Sequence, residues 1–192
     1  MRNTFDRFNG RHQDYQAARP SYAQEFLDWL GELYAPPERY TAADIGSGTG
    51  KLSAQLLAAG FRVCGVEPNP DMRGAAEALL GGDPRFSSSN GTDHDTGLPD
   101  RSVDMVAAAQ AFHWFDGPAF ARECRRILRP GGRAVLVWNV RGSAPMNQAL
   151  AQVFREHCPS FHGFTGGMGE DAPRIRDFFG GAYEKRRFPN PL

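Results

Sequence analysis

A chain of 192 residues, 41% of them hydrophobic, has room for one α/β domain with a real core and none for a second full domain, because a chain of this size buries roughly 70% of its unfolded surface. Its 22 basic side chains balance 22 acidic ones, so no electrostatic pull toward nucleic acid or an anionic membrane is encoded and small-molecule partners are expected. Cys64, Cys124 and Cys158 are scattered without disulfide or zinc-site spacing; a reducing, cytoplasmic setting follows, and no apolar run approaches the roughly 18 residues of a membrane span.

Apolar residues at 22, 26, 29, 30 and 33 keep the helical period, with Ser21 as the expected cap and Pro36-Pro37 as the stop. Tyr40 to Ile45 predicts a first strand and Thr49 to Ala59 the helix after it. Arg62 to Val66 predicts a second strand, and Pro70 to Leu80 a second helix with proline at its start. Phe86 to Ser89, Val103 to Gln110 and the β-branched run Arg133 to Val140 predict three more strands, with a helix over Pro118 to Leu128 before the last. Such alternation implies right-handed βαβ units, hence an α/β fold: a Rossmann-like parallel sheet with helices on both faces.

After Val140, Pro145 to Cys158 reads as helix, Ser160 to Gly169 as a loop, Pro173 to Phe179 as a short helix and Tyr183 to Phe188 as a last strand. One domain is expected over 1–192: an N-terminal cap helix (1–37), a binding core (38–140), and a cap insertion with the final strand (141–192). Phe154, Phe161, Phe164, Phe178 and Phe179 give the last part an aromatic bias, suited either to packing a cap on the sheet or to lining an acceptor pocket.

Ligands of such sheets bind beyond the carboxyl ends of the strands, where Asp44, the glycine run to Gly50, Glu67, Thr92 and Gln110 fall. A phosphate-binding P-loop fails at Ile45 and Leu52, which occupy its first glycine and hydroxyl positions. A dinucleotide loop wants glycine or alanine where Lys51 stands, and no anion where Asp44 stands. Asp44 suits a ligand bearing an ammonium or a sulfonium, and S-adenosylmethionine carries both. Glu67 lies 21 residues beyond Gly46, the place of a ribose-binding acid, where a carboxylate accepts bonds from both hydroxyls.

The segments Asp44 to Gly50, Gly65-Val66-Glu67-Pro68-Asn69, Gly91-Thr92 ahead of Gly97-Leu98-Pro99, and Leu128-Arg129-Pro130-Gly131-Gly132 together resemble class I S-adenosylmethionine-dependent methyltransferases. Tyr15 to Tyr22 and Gln110-Ala111-Phe112-His113-Trp114-Phe115 narrow the resemblance to the small-molecule branch similar to trans-aconitate methyltransferases. Over roughly residues 5 to 140, the resemblance implies that Gly46, Ser47 and Gly48 line the methionyl tail with Asp44 behind it, and that Glu67 and Pro68 hold the ribose. It also implies that Met72 packs on the adenine, that Gln110 faces the methionyl end, and that Tyr15 and Arg19 close over the cofactor; the adenine is placed between Thr92, which stands where many relatives carry an aspartate for the amino group, and Asp93, with neither side chain assigned to that group. The expected activity is methyl transfer to a small-molecule acceptor, favouring oxygen of a carboxylate or hydroxyl, with S-adenosylhomocysteine as product.

His113 has the pKa of a general base and follows the fourth predicted strand; the competing reading is a lid of packed aromatic residues in which Trp114 walls the sulfonium. No metal is expected, since His157, Cys158 and His162 lack a fourth ligand. Members of the family finish the sheet with two further strands, whereas this sequence offers one, so the C-terminal end reads as shortened by at least one strand. A truncated chain is one explanation. The other is a homo-oligomer or companion protein that completes the sheet edge, and a cofactor-binding subunit that needs or supports such a partner is the alternative function. Asp44 and Lys51 argue against a nicotinamide-dependent oxidoreductase.

Overall fold

The computed structural model describes residues 20–140, 145–158 and 173–190. Five strands, β1 (Thr41–Ile45), β2 (Arg62–Val66), β3 (Phe86–Ser89), β4 (Val103–Ala109) and β5 (Leu128–Val137), form one sheet in the order β3-β2-β1-β4-β5. Every neighbouring pair is parallel. The strand order reverses between β1 and β4, which makes the carboxyl end of β1 the switch point where ligands of such sheets bind.

Helix α1 (Gln24–Leu33) precedes the sheet, α2 (Lys51–Ala58) crosses from β1 to β2, α3 (Pro70–Leu80) from β2 to β3, and α4 (Gly117–Ile127) from β4 to β5. Two more helices, α5 (Pro145–His157) and α6 (Pro173–Phe179), follow. Successive residues of β1 point to opposite faces: Ala42 joins the cluster of Phe26, Leu30, Leu52 and Leu56 from α1 and α2, whereas Ala43 and Ile45 join that of Phe120, Ile127 and Phe178 from α4 and α6. Covered on both sides, the strand is apolar at Ala42, Ala43 and Ile45, and Asp44, 1% exposed, is its buried polar residue.

Local signals set the helix starts where side chains can act alone. Asn69 accepts the amides of Asp71 and Met72 ahead of Pro70 at the first position of α3, and Asp116 accepts that of Ala119 at α4. Ser21 does not cap α1. Ala23 stands at the cap without a side-chain bond, and the Ser21 carbonyl instead accepts from the side-chain amides of Asn139 and Asn190.

β5 starts and stops earlier than Arg133 to Val140. Leu128 pairs with Val103 and Arg133 with Met105, so the residues between bulge out of register, and pairing ends at Val137. Tyr183 to Phe188 is not a strand. Tyr183 stacks on Phe179, Phe188 packs against the rings of Phe26 and Trp29 at 5.8 and 6.0 Å, and Arg186 lies over Trp29. Aromatic contacts with α1 take the place of a backbone ladder, so β5 is an edge strand.

Candidate functional site

A cavity opens at the carboxyl ends of β1, β2 and β4. The chain leaves β1 after Asp44-Ile45 and turns through a loop in which Gly46 and Gly48 sit at φ +68° and +57°, a region that only glycine enters freely. A Cβ at Gly46 would meet Ala111 Cβ at 2.8 Å and the Phe115 ring at 3.1 Å. At Gly48 it would meet nothing within 4 Å. Gly46 therefore seals the loop against the 3-10 turn Phe112–Trp114, and Gly48 leaves the backbone open to a ligand. Ser47 lines the wall beside them.

Asp44 lies at the base. Its Oδ2 accepts the Ser53 hydroxyl at 2.7 Å, while Oδ1 is buried without a hydrogen-bond partner among the described residues. Burial pushes this carboxyl up to about 6; bonds from the Ser53 side chain and backbone act against the rise, and the charge of Glu67 adds to it.

Glu67, at the end of β2, bridges two elements: Oε2 accepts the Gly48 amide and Oε1 that of Asn69, both at 2.9 Å. Each oxygen keeps a second lone pair for a ligand hydroxyl. Burial raises its carboxyl while the amides of Asn69 and Gly48 and the Arg73 charge lower it, the net direction being upward. Arg73 donates to the carbonyls of Glu67 and Pro68 and to Asn90 Oδ1, tying the end of β2 to the segment after β3. Pro68 and buried Met72 complete this wall.

Thr92 and Asp93 both line the cavity, and each side chain also holds the loop together. Thr92 Oγ1 accepts the Asp95 amide, and Asp93 Oδ2 accepts the Asp116 amide at 2.9 Å, joining this loop to the start of α4. Behind it, Glu123 accepts the amide and hydroxyl of Thr96 at 2.9 and 2.6 Å and a two-pronged bond from Arg126. Burial alone would raise the Glu123 carboxyl; the bonds from Arg126 and Thr96 outweigh it and hold it at about 2.

Gln110 lines the cavity at φ +53°, with its side-chain amide donating to the Asn139 carbonyl at 3.1 Å. His113 is not among the cavity-lining residues; its ring stands 4.9 Å from that of Trp114, which is. Tyr15 and Arg19 lie outside the described residues, as do Phe161, Phe164 and His162. Phe178 stacks on Phe120 and meets Phe112 edge-on, so it and Phe179 belong to the packed cluster of α4 and α6 and do not line the cavity. Tyr22, Ser53 and Glu123 carry no local signal that marks them for the site; packing brings them there. Tyr22 lines the cavity with its backbone held at both ends by the Gln55 amide.

The cavity lies at the switch point of an α/β domain, with glycines in its wall, one acid at its base and another beside it, a donor set suited to a nucleoside-bearing cation. S-adenosylmethionine fits the residues present: Asp44 Oδ1 lacks a partner among the described residues, Glu67 has lone pairs to spare, and Gly48 leaves open space.

Residues 43–136 match the family model of the methyltransferase domain. The chain is 42% identical over 127 residues to an uncharacterized methyltransferase of Mycobacterium tuberculosis, covering 66% of this chain and 49% of that protein. It is 31% identical over 145 residues to one from Schizosaccharomyces pombe, covering 74% and 57%. The solved structure of a protein from Anaeromyxobacter dehalogenans, provisionally described as a type II methyltransferase, is 32% identical with a TM-score of 0.59, over 90% of this chain and 70% of that one. The chain spans about half the length of the curated relatives it matches. It belongs to the class I methyltransferase family.

Proposed function

We propose that the protein binds S-adenosylmethionine in this cavity and transfers its methyl group to a small-molecule acceptor, at an oxygen of a carboxylate or hydroxyl. The observation that carries the cofactor assignment is Asp44, a fully buried carboxylate with one oxygen bonded to Ser53 and the other unpartnered among the described residues. The cofactor supplies an electrophilic methyl on a sulfonium. The work of the protein is then to hold and orient, which supplies roughly 7–11 kcal/mol in favourable cases.

In this reading Asp44 holds the positive end, Gly46, Ser47 and Gly48 admit the methionyl tail, and Glu67 with Pro68 takes the ribose. Met72, Thr92 and Asp93 surround the adenine, Gln110 borders the methionyl end, and Tyr15 and Arg19 close over the top. Thr92 Oγ1 and the Asp93 carboxylate keep acceptor lone pairs beside their loop bonds, so either side chain or a backbone carbonyl can take the adenine amino group. His113 lies outside the cavity lining, next to Trp114; a base role would need its ring to reach the acceptor, and His113→Asn would then remove the acidic limb of the kcat profile, whereas an unchanged profile assigns His113 to packing.

The acceptor class follows the likeness of Tyr15–Tyr22 and Gln110–Phe115 to the trans-aconitate branch, with one domain over 1–192 working in the cytoplasm. A second reading, a cofactor-binding subunit that needs a companion chain or a second copy, is favoured by the edge position of β5. Calorimetry with S-adenosylhomocysteine tests the cofactor, and absence of binding refutes it. Labelled methyl transfer into a pool of small acids and alcohols by the isolated chain separates the two readings.

A further inference from the structure

We propose that Ser53 is a positioning residue for cofactor binding: from the first turn of α2 it grips one oxygen of Asp44, so that the buried carboxylate presents the other to the positive charge of the ligand. The proposal rests on the S-adenosylmethionine reading for the identity of that ligand.

Ser53 belongs to the packed side of α2, with Leu52, Leu56 and Leu57, and is itself 0% exposed. A hydroxyl at such a position is costly unless it is bonded, and alanine would suit the packing better. Its bond goes to Asp44 Oδ2 at 2.7 Å, the length of a charge-assisted O–H···O⁻ contact. An ionised carboxylate only accepts, so the serine donates. With Oδ2 held, the carboxylate plane is set, and Oδ1 is the oxygen left for a ligand. The amino end of α2 adds its partial positive charge on the same side.

The charged groups around the cavity do not replace this bond. Glu67 just past β2 and Asp93 after β3 are acidic and line the same space, Lys51 stands at the start of α2, and β4 contributes only Ala109 before Gln110. Glu67 makes ionisation of Asp44 harder. The Ser53 donor opposes that effect, which explains how a carboxylate buried beside another acid stays ready for a cation near neutral pH.

The test is read first without ligand, by following the Asp44 carboxyl carbon in a pH titration by NMR. Removing one bond to the charged form in Ser53→Ala is expected to raise the Asp44 midpoint by about one to two pH units. Ser53→Cys, close in size but a weaker donor, is expected to fall between, and guards against a folding defect in the alanine variant. Calorimetry between pH 5 and 8 then follows S-adenosylhomocysteine. Wild-type affinity should level off above about pH 7, one unit over the carboxyl's value of about 6, while that of Ser53→Ala still climbs between pH 7 and 8 and is about two- to tenfold weaker at pH 7. 5′-Methylthioadenosine lacks the amino-acid end, so its affinity should be unmoved by the substitution. An unmoved Asp44 midpoint, or an equal loss for methylthioadenosine, overturns the proposal. Wild-type protein that binds no S-adenosylhomocysteine refutes the cofactor reading instead, and the ligand-free titration tells the two failures apart.

Discussion

Replacing Asp44 by asparagine should stabilise the ligand-free protein while weakening its hold on the cofactor. Burial lifts the carboxyl from 3.8 to about 6, and at about 1.4 kcal/mol per unit the fold gives up roughly 3 kcal/mol to keep this group ionised at pH 7.5. Because the folded value lies above the unfolded one, the stability tied to the protonated form is complete below about pH 4 and is lost as pH rises through about 6. Asparagine carries no charge and still accepts from Ser53, but it sets an N–H where Oδ1 had no partner, at a cost of about 1–2 kcal/mol. The net gain is about 1–2 kcal/mol at pH 7.5, or roughly 2–8 °C in Tm for a chain of this length, and near pH 4 it disappears or reverses. Thermal unfolding followed by circular dichroism at pH 4 and 7.5 measures this directly. Added S-adenosylhomocysteine should raise the Tm of the wild type by more than that of Asp44→Asn. A variant less stable than wild type at pH 7.5, or a difference equal at the two pH values, would refute the reasoning.

Glu123→Gln should cost about 2 kcal/mol at pH 7, the roughly 3 kcal/mol implied by a carboxyl held at about 2 instead of 4.5 being discounted because its partner Arg126 is 36% exposed. With the folded value depressed, that stability is present above about pH 4.5 and is lost as pH falls toward 2, so urea unfolding at pH 7 and 3 should show the gap narrowing. Gly48→Ala should lose about 1–2 kcal/mol to its positive φ yet weaken S-adenosylhomocysteine binding well beyond that, since its methyl group enters open cavity space. Gly46→Ala adds a collision with Ala111 and Phe115 and should cost roughly 2–5 kcal/mol in unfolding experiments; equal effects of the two alanines on stability would contradict the division of roles.

β2, α3 and β3 fall where the sequence places them because their signals are local: a short apolar strand, a proline and capping asparagine at the helix start, and a turn at Gly81–Pro84. Glu67 was legible for a related reason, since a strand, loop, helix and strand in succession set how far along the chain the second strand must end. Asp44 declared itself by standing as an acid in an apolar strand ahead of glycines. The limits were as physical. Tyr183 to Phe188 has a strand-like composition, but composition does not name a partner, and the rings of Phe26 and Trp29 on α1 claimed it. Glu123 and Thr96, 27 residues apart, meet only because α4 packs beside the loop that follows β3. The sequence by itself determined the alternation of elements, the glycine loop and the two acids at the strand ends, all consequences of backbone geometry acting over a few residues. Only the tertiary structure decided which groups those acids touch: packing α2 against β1 aims the Ser53 hydroxyl at one Asp44 oxygen and leaves the other without a partner among the described residues.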